Sequence, residues 1–268
     1  MPFNFTFLRS RVWLFAWAGW CGLTALDARA NDAVPAGLQA ATFRGQSFWI
    51  RTVDPGKEDL RLFWKDGQGK PLRDFAPLAA MLTADGRKAG LSFAANAGMF
   101  EADSRPVGLL VEDGKEESPL NLGEGAGNFY MKPNGVFLIN QKRRAMVVEA
   151  SSYTALLTPV IWATQSGPLL VNEGDIHPDF IEGSANKKLR SGVGVRKDGI
   201  IVFAISRGPV NFYDFAYFFL HSLNCPNALY LDGEISAFYV PGMKSGAPHQ
   251  FGPMFGLIKN GAVPFTRE

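Results

Sequence analysis

Cysteine is nearly absent: the 268 residues hold two, Cys21 and Cys225. Cys21 falls in the N-terminal apolar run, so a chain cut after that run keeps one thiol and forms no internal disulfide, even in an oxidising compartment. Stability must come from the core. Histidine is scarce too; His177, His221 and His249 stand far apart, with no metal-ligand spacing to cysteine or to one another, which argues against a zinc site. Net charge is small, with 27 basic against 25 acidic residues, so there is no field to hold nucleic acid or an anionic membrane surface. No Gly-x-Ser-x-Gly elbow occurs. Gly123-Glu-Gly-Ala-Gly127 lacks the P-loop lysine and a strand-to-helix setting, and reads as a rim loop. Repeats and low-complexity tracts are missing after about Ala40.

The N-terminal apolar run extends from Val12 to Leu26, with Arg9 and Arg11 ahead of it and Ala28-Arg29-Ala30 behind. It is shorter than the ~20 residues that span a bilayer, and its flanks are those of a secretory signal with small residues at the cut. Trp20 before Cys21 is bulkier than lipoprotein processing prefers. Residues 1–30 are therefore expected to be a cleaved leader, and 31–268 a single domain in the periplasm or outside the cell, with no stable membrane insertion after cleavage. Removing Arg9, Arg11, Arg29 and Asp27 leaves acids and bases nearly balanced. The remaining ~240 residues, rich in phenylalanine, suffice for one substantial core.

The mature chain reads as α+β: a mostly antiparallel twisted sheet built from hairpins, with a few packed helices. Thr42 to Val53 and Leu60 to Trp64 are predicted strands around a polar Asp54-Pro-Gly-Lys turn. Leu72, Phe75, Leu78, Ala79 and Leu82 recur at helical spacing and predict a helix over Pro71 to Leu82. Hairpins are predicted where Val107–Glu112 turns at Asp113-Gly114, where Phe129-Tyr-Met turns near Asn134-Gly135 into Val136–Ile139, and where Gly192–Arg196 turns at Asp198-Gly199 into Ile200–Ile205. Asn211 to Asn224 is a predicted amphipathic helix, with Asn211 as its cap and Asp214 in its first turn. It leads directly to Leu229, and strand-like sequence resumes over Phe251 to Phe265.

Chemistry concentrates in Leu229 to Pro241, where an apolar strand enters the turn Asp232-Gly-Glu234 and leaves through a second apolar strand. Asp232, Glu234 and Ser236 sit at alternate positions, which aims their oxygens into one region; solvated acids at a hairpin tip are the other reading. Asn96 follows an apolar run and precedes Gly98 closely enough for its amide to face a ligand at the backbone. Arg190 opens a strand and offers a planar fork suited to phosphate oxygens; as a plain surface base it would join Lys187 and Lys188. Ser166 has no histidine assignable to it and reads as a turn serine rather than a nucleophile. His249, in the polar stretch Gly242 to Gln250, is a candidate substrate contact or proton carrier.

Four stretches in order resemble the phosphodiester glycosidase family, which includes the enzyme that uncovers mannose 6-phosphate by removing N-acetylglucosamine. Asn96-Ala-Gly-Met-Phe100 is similar to its Asn-Gly-Gly-x-Phe, Gln165-Ser-Gly-Pro-Leu-Leu-Val171 to its Ser-Gly-Pro-x-Leu, Arg190-Ser-Gly-Val-Gly194 to its Arg-x-x-x-Gly, and Leu231-Asp-Gly-Glu-Ile-Ser236 to its Leu-Asp-Gly-Gly-x-Ser. The likeness runs from about Ser92 to the C-terminus. Glu234 and Ala97 stand where the family commonly has glycine. The resemblance implies a hydrolase that cleaves the glycosidic bond of sugar 1-phosphodiesters in a polysaccharide, cell-envelope polymer or glycolipid. It implies Asp232 and Arg190 as catalytic, and Asn96, Gly98, Ser166, Gly167, Gly233 and Ser236 as substrate-binding; the residue reading adds Glu234 as the second catalytic acid and His249 as a substrate contact. No cofactor is certain, although two acids beside a phosphate could hold a divalent ion such as calcium. The other class to be kept is a non-catalytic glycan-binding or exopolysaccharide export accessory protein on the same fold.

Overall fold

Residue pairs in which both φ angles are positive close several of the hairpins from which the chain is built, because that backbone twist matches the twist of the flanking strands. Arg44-Gly45, Asp113-Gly114 and Glu173-Gly174 are such pairs. The computed structural model describes Met1 and residues 33–84, 89–233, 235–243 and 250–260. The expected leader, Met1 apart, lies outside these residues, as do Glu234 and His249.

Within the compact unit that begins at Val34, the described strands form three sheets, and every pairing between them is antiparallel. The largest runs in the order β1 (Gln39–Phe43), β2 (Gln46–Val53), β13 (Ile201–Ser206), β12 (Ser191–Val195), β14 (Asn227–Asp232), β10 (Leu169–Asn172) and β11 (Asp175–Ile176). A second has β15 (Phe238–Tyr239), β4 (Ala89–Asn96), β16 (Met254–Asn260) and β3 (Asp59–Phe63). The third has β6 (Lys115–Ser118), β5 (Leu110–Glu112), β9 (Val160–Ser166), β7 (Gly135–Asn140) and β8 (Ala145–Glu149). The expected α+β architecture of antiparallel sheets with a few short helices is the observed one.

One face of each sheet contributes to a shared core. Phe255 marks its centre, meeting Phe137 of the third sheet edge-on at 5.3 Å and Phe203 of the first at 5.0 Å. The opposite face of the first sheet is covered by α2 (Phe212–Tyr217) and the π-helical turn Phe218–Ser222 that continues it. The Asn211 side chain caps α2, accepting from the Asp214 N–H at 2.7 Å. Helix α1 (Phe75–Thr83) covers the second sheet. It begins later than Pro71 because Asp74 caps it, its carboxylate accepting the Phe75 N–H at 2.6 Å. Among the described residues no helix is long and apolar enough to cross a membrane.

Two expectations are corrected, and one alternative reading falls away. Thr42 to Val53 is no single strand but the hairpin β1–β2, turning at Arg44-Gly45. Arginine is an unusual occupant of positive φ; here its guanidinium is held from outside the hairpin by Asp214 and Glu182 and lies over the Tyr217 ring. Phe129 lies in a 3-10 turn, Asn128–Tyr130, instead of a strand. Its carbonyl accepts the Asn134 side-chain amide at 2.9 Å, which leaves it unavailable to a strand neighbour. The acidic turn after β14 is not a hairpin tip either, since β14 and β15 belong to different sheets and the turn carries the chain across.

Glu112, half-buried at the end of β5, gives stability a pH dependence. Burial raises the Glu112 carboxyl from its ordinary 4.5 to about 7, against a hydrogen bond from the Trp64 backbone and the charges of Lys65 and Lys115. Its Oε1 has no partner. Since the folded value exceeds the unfolded one, the folded chain binds the extra proton between them, so the contribution is full below 4.5 and lost as pH rises through 7. Glu112→Gln should flatten this slope and stabilise the protein at pH 8 by about 1 kcal/mol, as read from urea unfolding at pH 5 and pH 8.

Candidate active site

Alternation along β14 decides what reaches the site. Leu229 and Leu231 enter the core between the sheets, while Ala228 and Tyr230 point to the side covered by α2, and the two-residue period puts Asp232 at the end of that same row. The Asp232 carboxylate folds back on its own turn, accepting from the Gly233 N–H and, at 3.4 Å, from the Ile235 N–H. An Asp that bonds the backbone just ahead of it holds the turn in one shape. Asp232 and Gly233 line a cavity of about 500 Å³ together with Arg190, Tyr230, Phe212 and Asn128.

Arg190 is 1% exposed. Its Nε donates to the Val210 carbonyl at 2.8 Å, Nη2 to the Asn186 carbonyl at 3.2 Å and Nη1 to the Tyr230 hydroxyl at 3.4 Å. The guanidinium lies 3.5 Å from the centre of the Phe212 ring. Phe212 in turn stacks on Phe180 at 4.8 Å and 7°, and Phe180 on His177 at 4.7 Å and 21°. This column fixes the plane of the guanidinium, while burial pushes its pKa down and Tyr230 pushes it back up. An arginine remains charged under such pressure. No carboxylate among the described residues pairs with it. Described residues take three of its five N–H groups, which leaves two at the terminal nitrogens without a partner among the described residues. A buried cation without a counter-charge costs several kcal/mol, and an anion bound in this cavity would offset that cost for Arg190.

Other expected site residues stand behind this surface. Asn96 is 1% exposed, and its Nδ2 donates to Ser191 Oγ at 3.0 Å while its Oδ1 accepts the Ala237 N–H at 3.2 Å. Ser236 Oγ donates to the Asp232 carbonyl at 2.7 Å and lies 3.1 Å from Ser191 Oγ. Ser166, fully buried, donates to the Leu231 carbonyl at 3.2 Å. Asn96, Ser166 and Ser236, expected to touch substrate, support the site from beneath: their polar groups engage Ser191 and the backbone on either side of Asp232, and they are not among the cavity's lining residues. Gly98 and Gly167 are also away from the lining. Each is glycine for lack of room, since a Cβ would strike the Gln165 carbonyl at position 98 and the Phe129 carbonyl at position 167. Asn96→Ala should cost about 1–3 kcal/mol, because it takes the acceptor from the Ala237 N–H and one partner from the Ser191 hydroxyl, which keeps Ser236 and the Asp232 carbonyl; urea unfolding reads this directly.

The cavity also holds residues that sequence reasoning missed. Tyr230 could have been found, since it sits two positions before Asp232 on the same face. Phe212 reads from sequence only as part of the apolar face of its helix, and Asn186, Lys188 and Glu101 carry no local signal. Ala126 and Gly127 line the cavity too, which agrees with reading their loop as a rim. Among the described residues no three acidic, histidine or cysteine side chains converge as a metal site requires.

Residues 89–261 match the sequence model of a family described as phosphodiester glycosidase. The uncharacterized protein YigE of Escherichia coli (strain K12) is 35% identical over 237 residues, covering 88% of this chain and 89% of that protein. Among solved structures, the catalytic domain of zebrafish N-acetylglucosamine-1-phosphodiester alpha-N-acetylglucosaminidase, auto-inhibited by its pro-peptide, is similar with a TM-score of 0.58 and 17% identity, over 85% of this chain and 84% of that one. A hypothetical protein from Synechocystis is similar at a TM-score of 0.53 and 15% identity, over 82% of this chain and 61% of that one. At these identities the structural likeness speaks to the fold.

Proposed function

Because the chain belongs to the phosphodiester glycosidase family, we propose that its cavity hydrolyses the bond between an anomeric carbon and a phosphodiester oxygen. The observation that carries this reading is Arg190, a buried guanidinium without a carboxylate partner among the described residues, facing the same cavity as Asp232.

The chemistry follows from the leaving group. When the anomeric C–O bond breaks, its electron pair goes to a phosphate that changes from a diester to a monoester and gains negative charge. A fixed cation strengthens its hold on that group as the bond breaks, which is the condition for accelerating the step. Arg190 does this with the two N–H groups that the described residues leave over. Asp232 faces the anomeric centre, accepting a proton from the attacking water or offsetting the positive charge that develops on the sugar. Glu234, two residues further, is the second acid of the pair. The products are a free sugar and a phosphate monoester.

Substrates in a cell-envelope polymer, polysaccharide or glycolipid suit a chain with a leader at residues 1–30, which would deliver it to the periplasm or the exterior. The test is release of free sugar from a panel of α-linked sugar 1-phosphate alkyl esters, with and without a chelator. Turnover that survives chelation supports the proposal without calcium, and turnover lost on chelation and restored by calcium assigns the ion to the acid pair. Binding of the esters with no turnover across the panel would favour the glycan-binding or export accessory role instead.

A further inference from the structure

The geometry points to the Tyr230 hydroxyl as a second donor to the departing phosphate, acting beside Arg190. The inference rests on the hydrolase reading above and adds a residue that the family motifs do not single out.

Three observations converge on that hydroxyl. First, Tyr230 is 1% exposed yet lines the cavity, on the same face of β14 as Asp232. Its ring meets Phe212 edge-on at 4.8 Å, and Phe212 is the ring that carries the Arg190 guanidinium. One aromatic anchor therefore fixes both polar heads.

Second, the hydrogen bond at the oxygen runs inward. Arginine can only donate, so the Tyr230 oxygen accepts from Nη1 at 3.4 Å. That bond uses a lone pair and not the proton, so the phenolic proton is open to an acceptor in the cavity that the residue lines. Burial raises the phenol well above its ordinary value, so it keeps that proton at neutral pH and donates without transferring it.

Third, the turn leaves space for this group. A Cβ at Gly233 would collide with the Tyr230 hydroxyl, and the backbone at Gly233 is outside the left-handed region. Glycine is thus required here for room and not for its φ, and the room is occupied by the tyrosine oxygen.

In the reaction the phenol gives a neutral hydrogen bond to a phosphate oxygen while Arg190 supplies charge. Negative charge on that phosphate grows as the anomeric C–O bond breaks, so both bonds tighten in the transition state, and loss of the neutral Tyr230 bond acts on kcat more than on KM.

The test compares wild type, Tyr230→Phe and Gly233→Ala. Kinetics are measured on whichever α-sugar 1-phosphate ester wild type cleaves, and binding of α-glucose 1-phosphate by calorimetry; thermal melting checks the fold. Tyr230→Phe should lower kcat about 10–100-fold with KM within about threefold, in the range expected for one lost donor. Gly233→Ala, which keeps the phenol but displaces it, should lower kcat in the same way, and serves alone if Tyr230→Phe does not fold. Unchanged kcat in the variants, or a loss confined to KM, overturns the inference while leaving the hydrolase reading intact. If wild type cleaves no ester, the hydrolase reading fails and binding decides: about tenfold weaker α-glucose 1-phosphate in Tyr230→Phe supports the donor role in an anion site. Equal affinity, or no binding by wild type, overturns it.

Discussion

Arg190→Lys should lower turnover of an α-linked sugar 1-phosphate ester by about 10³-fold, the upper range for removing an oriented donor from a charge-stabilising site. Lysine keeps the charge but has neither a planar face to lie on Phe212 nor a fork to hold the Val210 and Asn186 carbonyls while presenting two further N–H groups. The same substitution should abolish stabilisation by ligand. At about 100 times its Kd, a ligand adds about 2.7 kcal/mol to the folded state, roughly 5–10 °C of melting temperature for a domain of this size. Wild type with α-glucose 1-phosphate should show that rise, and Arg190→Lys little of it. A melting shift that survives the substitution would place the phosphate elsewhere.

Asp232→Asn should lower kcat by about 10²–10⁴-fold, the span associated with a positioned acid or base, and leave ligand binding nearly unchanged. Asparagine retains an oxygen that can accept from the Gly233 and Ile235 N–H groups, so the turn is preserved. Its carbonyl cannot take a proton from water or carry a full negative charge toward the sugar. Loss of both turnover and ligand-linked stabilisation would assign Asp232 to binding. Retained turnover would pass the role to another acid, with Glu234 the first to test.

How far the sequence disclosed this arrangement differs from element to element. Asp113-Gly114 announced its hairpin because glycine takes positive φ freely and aspartate tolerates it. Arg44-Gly45 did not, since what holds an arginine there is a distant pair of acids, Asp214 and Glu182. The helix over residues 212–217 was readable from its cap and apolar face, yet the second task of Phe212, as a platform for Arg190, depends on which strand end packs against it. Arg190 and Asp232 were legible as a pair only through ordered motifs, because they come together by the pairing of β12 with β14. The same motifs mark Asn96 and Ser236, which the structure places behind the cavity lining. A motif records that a residue type is needed, and both are needed to hold the Asp232 backbone, through Ser191 and the Asp232 carbonyl. Tyr230 stayed unnoticed because a tyrosine among leucines reads as core until its hydroxyl is placed beside a guanidinium.

The claim that the rest depends on is that a phosphate ester binds against Arg190 with its sugar toward Asp232. A crystal structure with α-glucose 1-phosphate bound tests it most directly. The account predicts phosphate oxygens within about 3 Å of the Arg190 terminal nitrogens, the Tyr230 hydroxyl on the same phosphate, and the anomeric carbon facing the Asp232 carboxylate. Phosphate bound away from Arg190, or bound there with the sugar turned from Asp232, would contradict it.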